Sequence, residues 1–285
     1  MAVVIATRDR RERLLGTLER LRAVPERPEV VVVDNASRDS GAAWVAERAP
    51  WARVVALPRN LGAGARTVGA RMVDRPYVAF CDDDSWWAPG ALRRAADLMD
   101  AHPAVGVLAA RVLVGTNRRE DALCARMARG PLPPEPGVPG VPVLGFLACG
   151  AIVRRSAFLS VGGFEHRLGI GGEEELLAMD MAEAGWRLAY VPEVVAHHDP
   201  APRADDGGRR RRQARNALWC AWLRRPLARA AAITGRAAVA ALRDPSARAG
   251  IADAVRGGGW VARRRRVVGP RVEASLRALE RTTAI

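Results

Sequence analysis

The sequence contains no lysine, so all 45 of its basic residues are arginine. Codon usage alone produces such a bias, and it therefore identifies no partner. Only four cysteines occur, at positions 81, 124, 149 and 220. None belongs to a Cys-x-x-Cys pair and no histidine cluster stands beside them, which argues against zinc-knuckle and disulfide-rich classes. We therefore expect reduced thiols in a cytoplasmic protein.

Long apolar segments are also missing. The apolar run at residues 2–6 is too short for the core of a signal peptide and far too short for a membrane span. It fits the first strand of a fold instead. With 285 residues, of which 49% are hydrophobic, the chain is long enough for one large domain and an appendage.

Charge is distributed unevenly along the chain. Residues 1–200 carry 25 arginines and 25 acidic residues, whereas residues 201–285 carry 20 arginines and 6 acidic residues. The whole net charge of +14 therefore belongs to the C-terminal part. We predict a main domain over 1–200 and an arginine-rich helical extension over 201–285.

Short apolar runs rich in β-branched residues alternate with helical patterns in the first 110 residues. The runs at 2–6, 29–34, 52–57 and 77–81 are typical of strands that are buried on both faces. The segments between them have helical spacing, as in the leucine stripe of residues 11–24. This alternation predicts an α/β fold with a mostly parallel sheet flanked by helices.

The alternation of strand and helix patterns loosens after residue 115. Residues 128–145 are dense in proline and glycine and predict an irregular loop. An acidic helix start at 173–175 and a strand ending in two histidines come next. Residues 200–213 have the composition of a linker. The remaining chain predicts helices, with breaks at Pro226, Pro245, Gly257 to Gly259 and Pro270.

Three adjacent carboxylates, Asp82, Asp83 and Asp84, follow the strand at 77–81. Ligands of open parallel sheets bind outside the carboxyl ends of the strands. Two carboxylates separated by one residue can both approach one hard divalent cation, which would cancel their repulsion. The competing interpretation is a helix N-cap formed by Asp84 or Ser85, with the other acids in solvent.

Several motifs together resemble glycosyltransferase family 2 with the GT-A fold, over residues 2 to about 220. Single motifs of this kind are weak, but their order and spacing also match the family. They are "VVIATRDR", "EVVVVDNASRD", "LPRNLGAGAR", "YVAFCDDDSWW", "GAIVRRSAFLSVGGF", "GGEEELLAMDMAEAGWRLAYVPE" and "HH".

The resemblance implies an enzyme of the hexosyl transfer class that uses a UDP-, GDP- or dTDP-sugar with Mn²⁺ or Mg²⁺. It places Thr7 and Arg8 in a loop that touches the nucleotide, and Asp34 on the base or ribose. The alternative for Asp34 is an Asx turn. The resemblance also implies that Arg66, Asp82 and Asp83 contact the nucleotide-sugar. It implies Asp84 and Asp82 as ligands of the metal. Asp83 has no defined role beyond local hydrogen bonding.

Inverting sugar transfer needs a base near the acceptor hydroxyl. The resemblance implies Glu174 as this base, with Glu173 as a competitor, although glutamate replaces the commoner aspartate here. The alternative is acidic decoration of a helix N-terminus. The resemblance also implies that one histidine of the pair at 197–198 completes the metal site or contacts the diphosphate. Of the pair we favour His197 over His198.

Two further features invite a functional interpretation. Trp87, beside the acidic run, is the better candidate among the tryptophans for stacking on an acceptor. Gly62 and Gly64 imitate part of a dinucleotide-binding turn, but that fingerprint belongs after the first strand of its unit. A nicotinamide-binding fold is therefore disfavoured.

The basic C-terminal part must meet an anionic partner or remain solvated. An anionic membrane surface suits the tryptophans and arginines of residues 216–235. Nucleic acid is disfavoured because no recognised motif accompanies the charge. The third alternative is a helical cap on the catalytic domain. We expect a metal-dependent inverting glycosyltransferase at the cytoplasmic face of the membrane. An inactive GT-A binding module, or a binder of anionic surfaces, is the alternative.

Overall fold

A computed structural model describes the protein over residues 1–200 and 207–283. In these ranges ten strands form one mixed sheet. The strands are β1 (Ala2–Thr7), β2 (Glu29–Asp34), β3 (Arg53–Ala56), β4 (Tyr77–Asp82), β5 (Ser85–Trp87), β6 (Val105–Val114), β7 (Arg119–Glu120), β8 (Val141–Pro142), β9 (Ala151–Arg154) and β10 (Arg187–His198).

Twelve α-helices accompany the sheet in the described ranges. They are α1 (Arg11–Ala23), α2 (Gly41–Arg48), α3 (Gly64–Met72), α4 (Ala91–Ala101), α5 (Ala122–Ala128), α6 (Arg155–Ser160), α7 (Glu173–Glu183), α8 (Gly207–Arg224), α9 (Leu227–Ala241), α10 (Pro245–Arg256), α11 (Gly258–Arg264) and α12 (Pro270–Thr283).

The sheet order is β3-β2-β1-β4-β9-β6-β10-β5, with β7 beside β6 and β8 beside β10. The first four strands pair in parallel, as the alternation of strands and helices predicts. The second half is mixed, because β9 runs antiparallel between β4 and β6. The α/β prediction is confirmed.

Burial explains why these segments form strands and helices. The β1 side chains Val3, Val4 and Ile5 are completely buried, as expected for a strand covered on both faces. The stripe Leu14 and Leu18 of α1 is buried in the same core. Burying each such side chain stabilises the fold by roughly 2 kcal/mol relative to leaving it in water.

The parallel register brings polar strand ends to one edge of the sheet. Thr7, the last residue of β1, lies opposite Asp34, the last residue of β2. On the other side of β1, Ala6 lies opposite Asp82, the last residue of β4. The candidate site is therefore built at this edge, where ligand crevices of open α/β sheets form.

The basic C-terminal part is helical. Because α8 begins at Gly207, the predicted linker is wrong for residues 207–213. Residues 201–206, and with them the predicted boundary after residue 200, lie outside the described residues. Helix ends coincide with the predicted breaks at Pro226, Pro245 and Pro270.

The C-terminal helices pack on α7 through a second apolar cluster. Leu176 and Met179 of α7 are buried against Trp219 and Leu223 of α8. Arg224 of α8 also forms a two-pronged ion pair with Asp180 of α7. Among residues 1–200 and 207–283, no helix is both long enough and apolar enough to cross a bilayer.

Candidate active site

The acidic run forms a tight turn between β4 and β5. Asp82 ends β4, and its backbone N–H donates to Ser85 Oγ at 2.7 Å. The next helix, α4, begins only at Ala91, and its N-cap residue is Gly90. The alternative in which Asp84 or Ser85 caps that helix is therefore wrong.

Asp83 fastens the turn to the first strand and helix. Its carboxylate accepts from Thr7 Oγ1 at 3.0 Å and from an Arg10 nitrogen at 3.2 Å. Its backbone carbonyl accepts from Thr17 Oγ1 at 2.9 Å. Burial raises the pKa of Asp83 to about 6, although Arg10 and Thr7 act in the opposite direction. Within the described chain, the contacts of Asp83 thus join the acidic turn to residues that lie 66 to 76 positions earlier, and go beyond the predicted local hydrogen bonding.

Asp84 is buried and lies beside two arginines and a histidine. Its carboxylate lies 3.0 Å from Arg10, 3.8 Å from Arg13 and 3.2 Å from His198 Nε2. Burial by itself raises the pKa of Asp84, but the His198 hydrogen bond and the arginine charges outweigh it and hold the pKa below its ordinary value. The carboxylate is therefore ionised at neutral pH.

Strand alternation separates the two histidines. His197 lies opposite Trp86 on β5, and their rings stack at 5.3 Å. His198 lies opposite Ser85, which contacts the acidic turn. Because successive side chains of a strand point to opposite faces, only His198 can reach the carboxylates. The structure brings His198, in place of the favoured His197, to the acidic turn.

Asp82, Cys149 and His198 offer ligand atoms that lie within 4.8 Å of one another. Asp82 also pairs with Arg66 of α3, a buried side chain. Burial raises the pKa of the Cys149 thiol well above its ordinary value, so it stays protonated. A hard divalent ion prefers oxygen and imidazole donors, and these come from Asp82, Asp84 and His198.

The acids at the start of α7 face the same cluster. Burial, with a further contribution from the charge of Glu174, raises the pKa of Glu173 to about 8, and the Glu173 carboxylate accepts from the Gly171 backbone N–H. Burial also raises the pKa of Glu174, while Arg66 and the Ala148 backbone N–H act in the opposite direction. Glu174 is half-buried and Glu173 is buried.

The loop before α7 is held by α8. The side-chain amide of Asn216, which is fully buried, donates to the carbonyls of Leu168, at 2.8 Å, and Gly171. The Cys220 thiol donates to the Gly172 carbonyl at 3.4 Å. These contacts fix the point at which α7, and with it Glu174, begins.

The predicted nucleotide-binding residues lie at the ends of β1 and β2. Asp34 is buried and accepts from the Ser37 backbone N–H at 2.9 Å, so the predicted Asx-type turn is present. Arg8 is exposed and lies 3.5 Å from Asp9. Thr7 is buried and donates to Asp83. One Asp34 oxygen is engaged in the turn, which leaves the other as an acceptor for a ligand.

Two tryptophans adjacent in sequence have different environments. Trp87 is completely buried in the main core, so the prediction that it stacks on an acceptor is wrong. Trp86 is half-buried, and the guanidinium of Arg20 lies 4.2 Å from its ring centroid. Side-chain alternation along the strand turns one of the two rings into the core. The acidic motif beside them does not indicate which one.

The glycines at 62–64 serve packing. A Cβ on Gly62, whose φ is +54°, would lie 2.5 Å from the backbone of Gly169, and one on Gly64 would lie 2.8 Å from His166. The Ala63 backbone N–H also donates to the Gly169 carbonyl at 2.8 Å. Close approach of two loops explains these glycines, without a dinucleotide.

Sequence reasoning missed Arg10, Arg13, Cys149 and Asn216. The arginines stand three residues apart at the start of a helix, a spacing that places both on one face. That spacing was a readable signal. Cys149 and Asn216 reach the site only through the tertiary fold, and no local sequence pattern identifies them.

Residues 2–162 match the profile of glycosyl transferase family 2. The match spans more than half of the chain, which therefore belongs to this family. Its class is that of glycosyltransferases, and its fold is the GT-A fold.

Individual relatives agree with this class. An N-acetylglucosaminyl-diphospho-decaprenol L-rhamnosyltransferase of Mycobacterium tuberculosis is 29% identical over 225 residues, which cover 66% of this chain and 71% of the relative. The mannosyltransferase PcManGT from Pyrobaculum calidifontis, solved with GDP-Man and Mn²⁺, shares 20% identity at a TM-score of 0.57. That match covers 99% of this chain and 86% of PcManGT.

The S. aureus protein TarS shares the fold as well. Its 1–349 form in complex with UDP has 20% identity to this chain and a TM-score of 0.56, over 76% of this chain and 65% of TarS 1–349. The chain thus spans about two thirds of that TarS form, and 39% of the longer TarS chain.

Proposed function

We propose that the protein is a metal-dependent, inverting glycosyltransferase that moves a sugar from a nucleoside diphosphate to an acceptor hydroxyl. The observation that carries this proposal is the convergence of the acidic turn with the start of α7. Asp82 pairs with Arg66, and the charge of Arg66 also acts on Glu174, where it opposes the rise in pKa that burial causes. A charge-stabilising group and a candidate base therefore lie close together.

The residues of the acidic turn fit a divalent cation. Asp82, Asp84 and His198 would hold Mn²⁺ or Mg²⁺, because carboxylate oxygens and a neutral imidazole suit these ions. When bound, the ion neutralises negative charge that develops on the leaving diphosphate.

The donor side fits a nucleoside diphosphate. The Nε atom of Arg66 is buried and has no hydrogen-bond partner among the described residues, so it is available to a phosphate oxygen. Asp34 can accept from a ribose hydroxyl or a base N–H, and Thr7 and Arg8 stand at the same strand ends. UDP-, GDP- and dTDP-sugars remain candidate donors.

Glu174 acts as the base in this proposal. It removes the proton of the acceptor hydroxyl while the hydroxyl oxygen attacks the anomeric carbon opposite the leaving diphosphate. One displacement from the opposite face inverts the configuration. Glu173 is less suited, because the Gly171 N–H engages its carboxylate and burial raises its pKa to about 8. Its role as alternative base stays a prediction.

The C-terminal helices fit an anionic membrane surface. Leu227, Val239 and Leu242, in and beside α9, are 63%, 68% and 77% exposed, and Val255 of α10 is 74% exposed. α9 contains two arginines and no acidic residue. Apolar side chains among basic ones are typical of helices that lie at a bilayer interface. We propose peripheral membrane association.

The acceptor is proposed to be carried on a lipid. The mycobacterial relative is named for an acceptor attached to diphospho-decaprenol. A membrane-bound acceptor is consistent with the exposed apolar side chains of α9. The division into a catalytic domain over 1–200 and an extension over 201–285 remains part of this proposal.

Replacing Asp84 by Ala tests the metal assignment. Hydrolysis of UDP-, GDP- and dTDP-sugars would be measured with Mn²⁺ and with EDTA. We expect wild-type hydrolysis of one donor to require Mn²⁺, and Asp84→Ala to lose at least about a hundredfold. Asp97→Ala, which removes an exposed carboxylate of α4, is the matched control and should stay within about twofold. Equal rates in both variants would refute the metal assignment, and metal-independent hydrolysis would refute metal dependence. An inactive binding module would bind the donor without hydrolysing it.

A further inference from the structure

A large cavity lies between the catalytic part and the C-terminal helices. Its volume is about 880 Å³, which is within the range of small-molecule sites. Its walls come from α5, the start of the proline-rich loop, the loop after β8, the first turn of α7, α9 and α12. We call it the interdomain cavity.

The interdomain cavity is strongly basic. Five arginines and two glutamates line it, which leaves a net charge of +3. One of the glutamates, Glu280, is already paired with Arg225 and Arg229. Among the described residues, neither Arg129 nor Arg236 has an ion-pair partner. Two guanidinium groups are thus available to an anionic ligand.

Apolar side chains form the rest of the wall. Leu123 and Met127 of α5 face the cavity from one side, and Leu276 and Leu279 of α12 from another. A free inorganic anion gains nothing from such a surface. A ligand with both an anionic group and an apolar chain uses both kinds of wall, because apolar burial contributes about 25 cal/mol per Å².

The cavity reaches the first turn of α7. Glu175 lines it, and the preceding residue is Glu174, the base of the proposed reaction. Gly145 lines it as well, three residues before Ala148, whose N–H binds Glu174. A ligand in the cavity therefore lies beside the helical turn that carries Glu174.

We propose that the interdomain cavity binds the phosphate-bearing head and the first part of the apolar chain of a lipid-linked acceptor. This inference rests on the proposed function and adds the place where the acceptor binds. Arg129 and Arg236 hold the phosphate groups, and the leucines of α12 line the chain. The exposed apolar side chains of α9 contact the membrane that supplies the lipid, and they place the cavity mouth at its surface.

Binding of three probes tests the inference. The 285-residue chain would be titrated with farnesyl diphosphate, inorganic pyrophosphate and farnesol in EDTA, which keeps divalent ions out of the donor site. We expect farnesyl diphosphate to bind at least tenfold more tightly than either of the others. Arg129→Glu and Arg236→Glu should each weaken it at least tenfold. Arg243→Glu, an exposed position outside the cavity with the same charge change, should weaken it less than twofold.

Two results would overturn the inference. One is pyrophosphate or farnesol binding as tightly as farnesyl diphosphate. The other is equal binding by the two cavity variants and Arg243→Glu. Donor hydrolysis by the wild-type protein is measured separately with Mn²⁺. Its absence would count against the proposed function. Binding that requires both the apolar chain of farnesyl diphosphate and the two cavity arginines would still support the cavity as a lipid phosphate site.

Discussion

The roles of Glu173 and Glu174, at the start of α7, can be separated by replacing each one with glutamine. Glutamine keeps the size of the side chain and removes its capacity to accept a proton. Glu173 binds the Gly171 N–H, and the side-chain carbonyl oxygen of a glutamine at this position can accept the same hydrogen bond. Loss of the fold is therefore not expected to obscure the result.

The structure sets the expected magnitudes. Burial and the charge of Glu174 raise the pKa of Glu173 to about 8, so Glu173 is mostly protonated and neutral at pH 7. Glu173→Gln mimics that state and should keep kcat/KM within about threefold. Glu174→Gln removes the base and should lower kcat/KM by roughly 10²–10⁴.

The pH profile adds a second readout. A base must be ionised, so the rate falls as the pH falls through the raised pKa of Glu174. Because Glu173 is still neutral in that range, the acid limb should lie at the same pH in wild type and Glu173→Gln, above the ordinary glutamate range. The assay is donor hydrolysis with Mn²⁺ between pH 5 and 9.

Glu193→Gln, at an exposed position on β10, controls for the loss of one negative charge and should match wild type. If Glu173→Gln loses a hundredfold or more while Glu174→Gln keeps its activity, the assignment of the base is refuted and passes to Glu173. Similar large losses in both would show that the pair acts as one unit.

The remaining predictions concern stability and membrane binding. Asn216→Ala removes the side-chain donor of the Gly171 carbonyl and one of the two donors of the Leu168 carbonyl, which keeps Arg215. It should lower the free energy of unfolding in urea by about 1–3 kcal/mol, whereas exposed Ala217→Gln should lower it by less than about 0.5 kcal/mol. Equal values would contradict the argument. The folded-state pKa of Asp83, about 6, exceeds its ordinary 3.8, so wild type loses stability as pH rises through that window. The free energy of unfolding of Asp83→Asn should therefore rise by roughly 3 kcal/mol relative to that of wild type between pH 4 and 7. A difference between the two proteins that does not change with pH would refute this. Anionic liposomes should pellet the protein at low salt and neutral ones should not, with Leu242→Gln binding severalfold less; absence of pelleting would exclude membrane association.

Strands β1, β2 and β4 were predictable because they are buried on both faces. The same prediction of burial was wrong for the run at 52–57, because β3 is an edge strand whose residues are exposed or half-buried. The valine run of β2 was predicted at residues 29–34 and forms a strand at those residues, and β4 extends one residue beyond its prediction. A run of β-branched residues between turn signals leaves few other local solutions. Two-residue strands such as β7 and β8 carry no such pattern, and only their neighbours in the sheet define them.

The position of the acidic turn was also predictable, but its partners were not. A strand end fixes where Asp82 stands, whereas the arginines that meet Asp84 come from a helix more than 70 residues earlier. The histidine pair shows the limit clearly. Alternation requires that His197 and His198 face opposite ways, but only the pairing of β10 with β5 decides which one meets the carboxylates.

The C-terminal helices and the N-terminal half of the chain meet at the loop that precedes Glu174. Asn216 and Cys220 hold this loop from α8, and Ala63 holds it from the N-terminus of α3. The position of the candidate base therefore depends on both parts of the chain at once. The change in charge near residue 200 marks a change in composition. It does not separate a complete active site from an accessory tail, because the α8 contacts that position the base lie beyond it.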